Sequence, residues 1–434
     1  MQTPDFLPYS RRKRSIFRII GLIAIGLSVA ALAIYQIPRV KRLVDYRLDM
    51  ALTYMEKVIN PVSDLPTPAV SSAPEMPLPA VSVTLEAEPS ATTQPSPTPE
   101  FTPTPTMVPT AIPARLQLAP PAYDEIRDKQ ALNNCGPATL ALHLRFFGWK
   151  GNQYDISSLI KPSDDDRNVN IEELVYYVRN KTGWLNVEYR VGGKLETLKR
   201  IIGAGVPVMI ETTFEADRDG WPNDDRWAGH YLLVTGYDDA TEIFTVHDTE
   251  KGPNQQMSYQ QLADDWQSFN YVYMMVYLPE QEDNLKRAIG ENWDVRTNRE
   301  NALTLAQAEA EADPENAFAW FNIGTNLVYF ERYYEAAEAY DTARSIGLPQ
   351  RMLRYQFGPF IAYFWTQRTD DLIVLTDHAL KQVSRTSEEA MLWRGWAEFR
   401  LGNKDTALSY FRSALNMRPN YEDALWAIDF VRSN

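Results

Sequence analysis

Three residues, Cys135, His230 and Asp248, have the types and the setting needed for nucleophilic attack on a carbonyl. Cys135 is the chain's one cysteine, and an apolar helical pattern begins just after it, at Gly136-Pro137. A thiol on the first turn of a helix sees the positive end of the helix dipole and unpaired backbone N–H groups. Both favour thiolate, the reactive form. An inert core cysteine would more often sit in the middle of an element.

A cysteine nucleophile needs a base, and the base needs a group to orient it. The chain has four histidines. His143 follows Cys135 on the same helix, about 12 Å along it and out of reach, so it reads as a structural helix-face residue. His378 falls among C-terminal repeats and also reads as structural. His230 and His247 lie in G-H-Y-L-L-V-T-G-Y-D-D-A-T-E-I-F-T-V-H-D, two apolar strands about a turn rich in Gly and Asp. A hairpin centred on Asp239 sets Val234 opposite Phe244, Leu232 opposite Val246 and His230 opposite Asp248, with Cβ atoms about 5 Å apart. A carboxylate there can bond one imidazole nitrogen and aim the other at a thiol. In that register His247 opposes Tyr231 on the other face, and a slip of one residue would reverse the assignment. A buried His–Asp pair with no catalytic task is the structural alternative. For the oxyanion, the N–H of Cys135 is a natural donor and the Gln130 amide a second. Asn133 and Asn134 read as helix caps.

Around these residues the pattern is mixed. Helices are expected at 137–147, 171–181, 195–202 and 259–266. Strands are expected at 186–191, 208–212, 230–235, 243–247 and 271–278. Helices lie early and strands late, which reads as α+β. From about Asp283 the chain turns helical and repetitive. Gly290, Gly324, Gly358 and Gly395 recur at intervals of 34, 34 and 37 residues, matching the tetratricopeptide period. The copies around Gly324 and Gly395 are strong and those around Gly290 and Gly358 weaker, with a capping helix at 422–432. Stacked helix pairs of this kind share one core.

Upstream, residues 19–38 form an uncharged apolar run long enough to span a bilayer. Arg11, Arg12, Lys13, Arg14 and Arg18 precede it and Arg39, Lys41, Arg42 and Arg47 follow it, a balance that by a small margin favours a basic cytoplasmic tail at 1–18. A cleaved signal peptide ending near Ala31-Leu32-Ala33 is the alternative. Residues 39–121 read as a juxtamembrane segment and an extended stalk. Sixteen of the 29 prolines lie between Pro61 and Pro121, and no Lys, Arg or Gly occurs from Pro61 to Ala114. The net charge of −14 argues against a nucleic-acid partner. One cysteine excludes an intrachain disulfide. Asp164-Asp165-Asp166 lacks the ligand spacing of a calcium loop and reads as solvated, so neither a metal nor a cofactor is implied. The Trp- and Asp-rich stretch 214–228 reads as a cleft wall or as an ordinary loop packed by Trp221 and Trp227.

The motif Q-x-x-x-x-C-G-P-A-T-L-A-L, followed by G-H-Y-L-L-V-T-G-Y-D-D and a strand ending in Asp, resembles the C-39-like cysteine peptidases, papain-like relatives of the enzymes that cut bacteriocin leaders after double glycine. The resemblance covers about 124–278. It implies a papain-like α+β domain at 122–280 with Cys135 as nucleophile, His230 as base, Asp248 as orienting acid and Gln130 as oxyanion donor. The interval from Gln130 to Cys135 is one residue shorter than in the bacteriocin-processing and papain-type patterns. Residues 283–434 resemble tetratricopeptide repeats and imply a protein partner. The expectation is therefore a single-pass, membrane-anchored, extracytoplasmic cysteine peptidase acting on a peptide or protein. A cell-wall amidase or transamidase with the same residues is one alternative, and a non-catalytic papain-like scaffold another.

Overall fold

Runs of β-branched and aromatic residues with apolar alternation build one antiparallel sheet: β1 Arg115–Gln117, β2 Asn186–Arg190, β3 Val208–Glu215, β4 Trp227–Asp238, β5 Ile243–Asp248, β6 Gly252–Ser258 and β7 Tyr273–Tyr277. The strand order is β2-β7-β3-β4-β5-β6, and β1 pairs with the far end of β4. The computed structural model describes residues 10–59, 64–68, 112–162, 166, 168–215, 227–383 and 385–433. Most of the expected stalk, Asp164, Asp165 and the Trp221 loop lie outside these.

The five expected strands and four expected helices are all present. Two strands escaped the reading. β1 is three residues long, and β6 (G-P-N-Q-Q-M-S) has no apolar alternation. The Gln153–Ile160 helix was missed too, although Asn152 and Asp155 form a capping box at its start. β1 lies upstream of residue 122, where the domain was expected to begin.

The chain divides into two units, Met1–Pro61 and Val62–Asn434. In the first, helices run over Ser10–Tyr35 and Pro38–Ile59. Residues Arg18–Tyr35 are long and apolar enough to cross a membrane, with mean hydropathy 2.1.

In the second unit the repeats form helix pairs Ala317–Tyr329 with Tyr333–Ile346, Gly358–Trp365 with Thr369–His378, and Glu388–Arg400 with Lys404–Met417, closed by Glu422–Ser433. Gly324 and Gly395 sit where a Cβ would strike the rings of Tyr340 and Phe411, at 2.7 and 2.5 Å. Gly290 differs. It ends a short helix at φ +58°, and a Cβ there would meet no atom within 4 Å, so the copy around it is not a repeat of the same form.

Sheet and repeats are not separated by a linker. One apolar core runs from Leu140, Leu174 and Met274 through Ala302, Phe321 and Tyr340 to Ala397. Gly192, at φ +63°, lies so close to the helix Val295–Ala312 that a Cβ would meet Ala302 Cβ at 2.8 Å. Asn298 exchanges bonds with the backbone of Val191, donating to its carbonyl at 2.8 Å and accepting from its N–H at 3.0 Å.

The same junction buries carboxyls. Glu173 is bonded by Arg418, and Asn170 donates to Glu389 at 2.9 Å. Asp166, read from sequence as part of a solvated loop, is instead 6% exposed. Burial, with Glu389 and Asp166 nearby, pushes Glu173 up to about 8 against the pull of Arg418. Burial and the charges of Glu389, Asp166 and Glu173 push Glu388 up to about 10. The folded state therefore holds protons that the unfolded chain releases above its ordinary carboxylate range, so stability falls as pH rises from about 4.5 towards 8. Glu388→Gln removes one such proton, and the fall in melting temperature between pH 5 and pH 8 is expected to shrink. The corresponding gain at pH 8 is on the order of 1 kcal/mol. An unchanged pH slope in thermal melts would refute this assignment.

Candidate active site

The thiol is positioned by the loop that precedes it. Cys135 is the first residue of the Cys135–Phe146 helix and is partly exposed. Asn134 occupies the N-cap position, but its side chain makes no cap bond. Its amide instead donates to Gln153 Oε1 at 2.7 Å. Gln153, 1% exposed, also accepts from Ala131 N at 2.8 Å and donates to the Lys129 carbonyl at 2.8 Å. Lys161 Nζ holds the Asn133 carbonyl at 2.7 Å, where Asn133 takes φ +56°. Gln153 and Lys161 thus shape the turn that delivers Cys135, and the sequence reading found neither. The buried capping-box helix was their one available signal.

His230 lies on β4, one strand in from Asp248 at the end of β5, and the two are bonded Nε2 to Oδ1 at 2.9 Å. Asp248 Oδ1 also accepts from the N–H groups of Glu250 and Lys251, at 2.8 and 3.1 Å. The register differs from the expected one. Near the turn Tyr237 opposes Phe244 and Gly236 opposes Thr245. Beyond a bulge, Val234 opposes Val246 and Leu232 opposes Asp248. His230 is therefore the diagonal neighbour of Asp248, not its direct partner, on the same face and still within bonding reach. The bulge inserts Thr235 into β4. Without it the turn-end register would set Asp248 opposite Leu233, on the face away from His230. The bulged Thr235 carbonyl is not orphaned, because Leu118 N donates to it at 2.9 Å. Gly236 is required beside it, since a Cβ there would meet Gln117 Oε1 at 2.1 Å and the Leu116 carbonyl at 2.8 Å.

The Cys135 thiol lies within electrostatic reach of the His230 ring. With Nε2 engaged by Asp248, Nδ1 is the nitrogen left for sulfur. Burial raises the thiol's pKa, but His230, the Tyr231 N–H and Lys161 outweigh it and leave the thiol below its ordinary value. Burial lowers His230, but Asp248 and Cys135 override it and push the imidazole up to about 10. Burial raises Asp248, and His230 with the two backbone donors leaves it below the usual range. The arrangement favours thiolate, imidazolium and carboxylate together.

Gln130 reaches the same corner. Its N–H donates to the Thr249 carbonyl at 2.9 Å, and its Oε1 accepts from Thr249 Oγ1 at 2.8 Å. That holds the side-chain oxygen and leaves the NH2 to point elsewhere.

A buried carboxyl also lies beside the thiol, and the sequence reading missed it. Glu211, opposite Tyr231 in the sheet, is raised by burial and by the charge on Cys135. The Tyr231 hydroxyl stands 3.0 Å from both Glu211 Oε2 and the Val169 carbonyl. It has one proton, so both contacts are satisfied when Tyr231 donates to Val169 and a protonated Glu211 donates to Tyr231.

His143 and His247 stay outside this group. Each is buried, and burial lowers both, His143 to about 3. From the stretch 214–228, Trp227 is no lid. It stacks on Phe269 with ring centres 5.7 Å apart, edge-on to Tyr355, and Arg351 binds its carbonyl at 2.8 Å. Among the described residues no cluster of three or more His, Cys, Asp or Glu could hold a metal.

The fold is an α+β domain built on one antiparallel sheet, followed by paired helices at the tetratricopeptide period. Residues 111–274 match the Peptidase_C39 like family, so the chain carries a C39-like segment that spans less than half of its length. No curated protein matches the chain. Among solved structures, a protein described as a C39-like peptidase from Bacillus anthracis is similar at 16% identity, covering 33% of this chain and 88% of that one, with a TM-score of 0.27. Xylellain, a cysteine protease from Xylella fastidiosa, is similar at 13% identity, covering 39% and 87%, with a TM-score of 0.30. YrrB, a tetratricopeptide-repeat protein with an unusual peptide-binding site, is similar at 18% identity, covering 35% and 75%, with a TM-score of 0.28.

Gly236→Ala is expected to force a shift of β1 or of the bulge and to destabilise the protein by about 1–3 kcal/mol. Its iodoacetamide labelling of Cys135 at pH 6 should slow more than tenfold as the His230–Asp248 alignment is lost. Wild-type labelling and melting in this variant would show that the bulge does not set the site.

Proposed function

We propose that the chain is a membrane-anchored cysteine peptidase that hydrolyses peptide bonds with Cys135, His230 and Asp248. The observation that carries this reading is the His230–Asp248 hydrogen bond beside a thiol on the first turn of a helix, whose pKa the imidazole lowers. Cys135 Sγ attacks the scissile carbonyl, and the carbonyl π electrons move onto oxygen. The Cys135 N–H and the Gln130 NH2 receive that oxyanion. As the tetrahedral species collapses, the C–N bond breaks and the His230 imidazolium gives its Nδ1 proton to the departing amine. Neutral His230 then takes a proton from water. The resulting hydroxide attacks the thioester carbonyl, and collapse breaks the C–S bond to release the acid and the thiolate. Asp248 fixes the ring and supports its charged form throughout.

The helix over Arg18–Tyr35 serves as the anchor. The basic residues before it support a cytoplasmic N-terminus, and with that orientation residues 62–434 act outside the cytoplasm. The repeats recruit a protein substrate or partner, consistent with the usual role of stacked helix pairs.

Two measurements check the chemistry. Wild-type protein should be alkylated by iodoacetamide rapidly at pH 6, and His230→Ala should slow this at least tenfold and shift reactivity towards pH 8.5, the free-thiol value. Because only one thiol exists, the signal belongs to Cys135. Cleavage of a peptide library should be abolished in Cys135→Ala. Hydrolysis that survives in that variant would refute the assignment. Release of amine from muropeptides, with none from ordinary peptides, would move the substrate class to the cell wall. Slow labelling indifferent to His230, with no turnover, would leave a binding scaffold.

A further inference from the structure

We infer that the repeats contain a recognition site for an extended Leu-Pro peptide and that the chain's own residues 64–68 occupy it. The observation stands apart from the catalytic reading. Arg344, on the helix Tyr333–Ile346, is 2% exposed. One end of its guanidinium is fixed within the repeats. Nη1 donates to Tyr363 Oη at 2.8 Å and lies 3.4 Å from Asp371 Oδ1 and 3.7 Å from Asp341 Oδ1. Tyr363 donates in turn to Asp341 at 2.7 Å, and Arg368 binds Asp371 Oδ2 at 2.8 Å. The other edge, Nε and Nη2, points at a single atom. Both nitrogens donate to the Pro66 carbonyl, at 3.0 and 2.7 Å.

That edge is the forked pair of donors suited to a two-point acceptor. Without the Pro66 carbonyl the two N–H groups would be buried with no acceptor from the repeats among the bonds they make here. Leu65, 7% exposed, joins the apolar core that includes Ala339, Tyr340 and Tyr363. Proline suits the seat for two reasons. It holds Leu65 extended, and it has no N–H of its own to bury. Recognition therefore has two parts, a leucine side chain and the carbonyl of the following proline. The segment expected to serve as free stalk is docked at Leu65-Pro66, and β1 is docked in the sheet at Arg115–Gln117. Residues 69–111 join two points fastened to one body. A protein partner with the same Leu-Pro feature would have to displace the tethered segment, whose effective concentration is on the order of millimolar.

A fluorescein-labelled peptide of residues 62–70 tests this on the full-length chain, by anisotropy titration of wild type, Leu65→Asp and the milder Leu65→Ala. Vacating the seat should let either variant bind the peptide at least tenfold more tightly than wild type. Adding Arg344→Lys, which keeps the charge but removes the fork, should return binding to the wild-type level or below. A labelled peptide carrying Leu65→Asp should not bind. Equal binding by wild type and both Leu65 variants would overturn the proposal. So would tight binding that survives Arg344→Lys.

Discussion

The extra residue in β4 decides which side chains share a face of the central hairpin. Side chains alternate along a strand, so one inserted residue reverses the parity of everything beyond it. Here Thr235 brings His230 and Asp248 to one face of the hairpin, where they bond, and sends His247 to the opposite face. The insertion is supported from outside the hairpin. Gln117 and Leu118 supply donors to the Thr235 carbonyl, at 3.3 and 2.9 Å, and the missing Cβ of Gly236 makes room for Gln117. A short edge strand thus maintains the alignment of the site.

The charges at that site depend on one another. A buried thiolate or imidazolium alone would be costly, and each would titrate away to its neutral form. Together, and with Asp248 held by two backbone donors, they lower one another's cost. Burial and the nearby thiol favour the neutral form of Glu211. An ionised carboxylate so near would repel the thiolate, and the tyrosine contact accommodates it as a donor instead.

Much of this was legible in the sequence, for identifiable reasons. Cys135 was marked by its place at a helix start, and the His230–Asp248 pairing by strand alternation about a turn. His230 and Asp248 are bonded in the structure, in a register other than the expected one. The misread register was even, two residues off, and so kept the face. The T-G step at Thr235-Gly236 was the one visible sign of a bulge. Gln153, Lys161 and Glu211 were illegible because their roles come from contacts made across the fold, and a buried glutamine or glutamate has no local pattern. The repeat period found Gly324 and Gly395 because a small residue is required under an aromatic ring. It misjudged Gly290, which matches the interval yet only ends a helix. The stalk was read from composition alone, and composition is silent about a single leucine that finds a pocket.

The contact of Gly192 with Ala302 has a mechanical consequence. Two bodies joined by a flexible strap can turn independently, and load on one is dissipated in the strap. Here the backbone of the sheet side touches the first long helix of the repeats with no room for a side chain between them. Tyr355, from the repeats, lies edge-on against Trp227 at the start of the strand that bears His230. A pull or twist applied to the helical stack is therefore passed by direct packing to the base of the strand that bears His230.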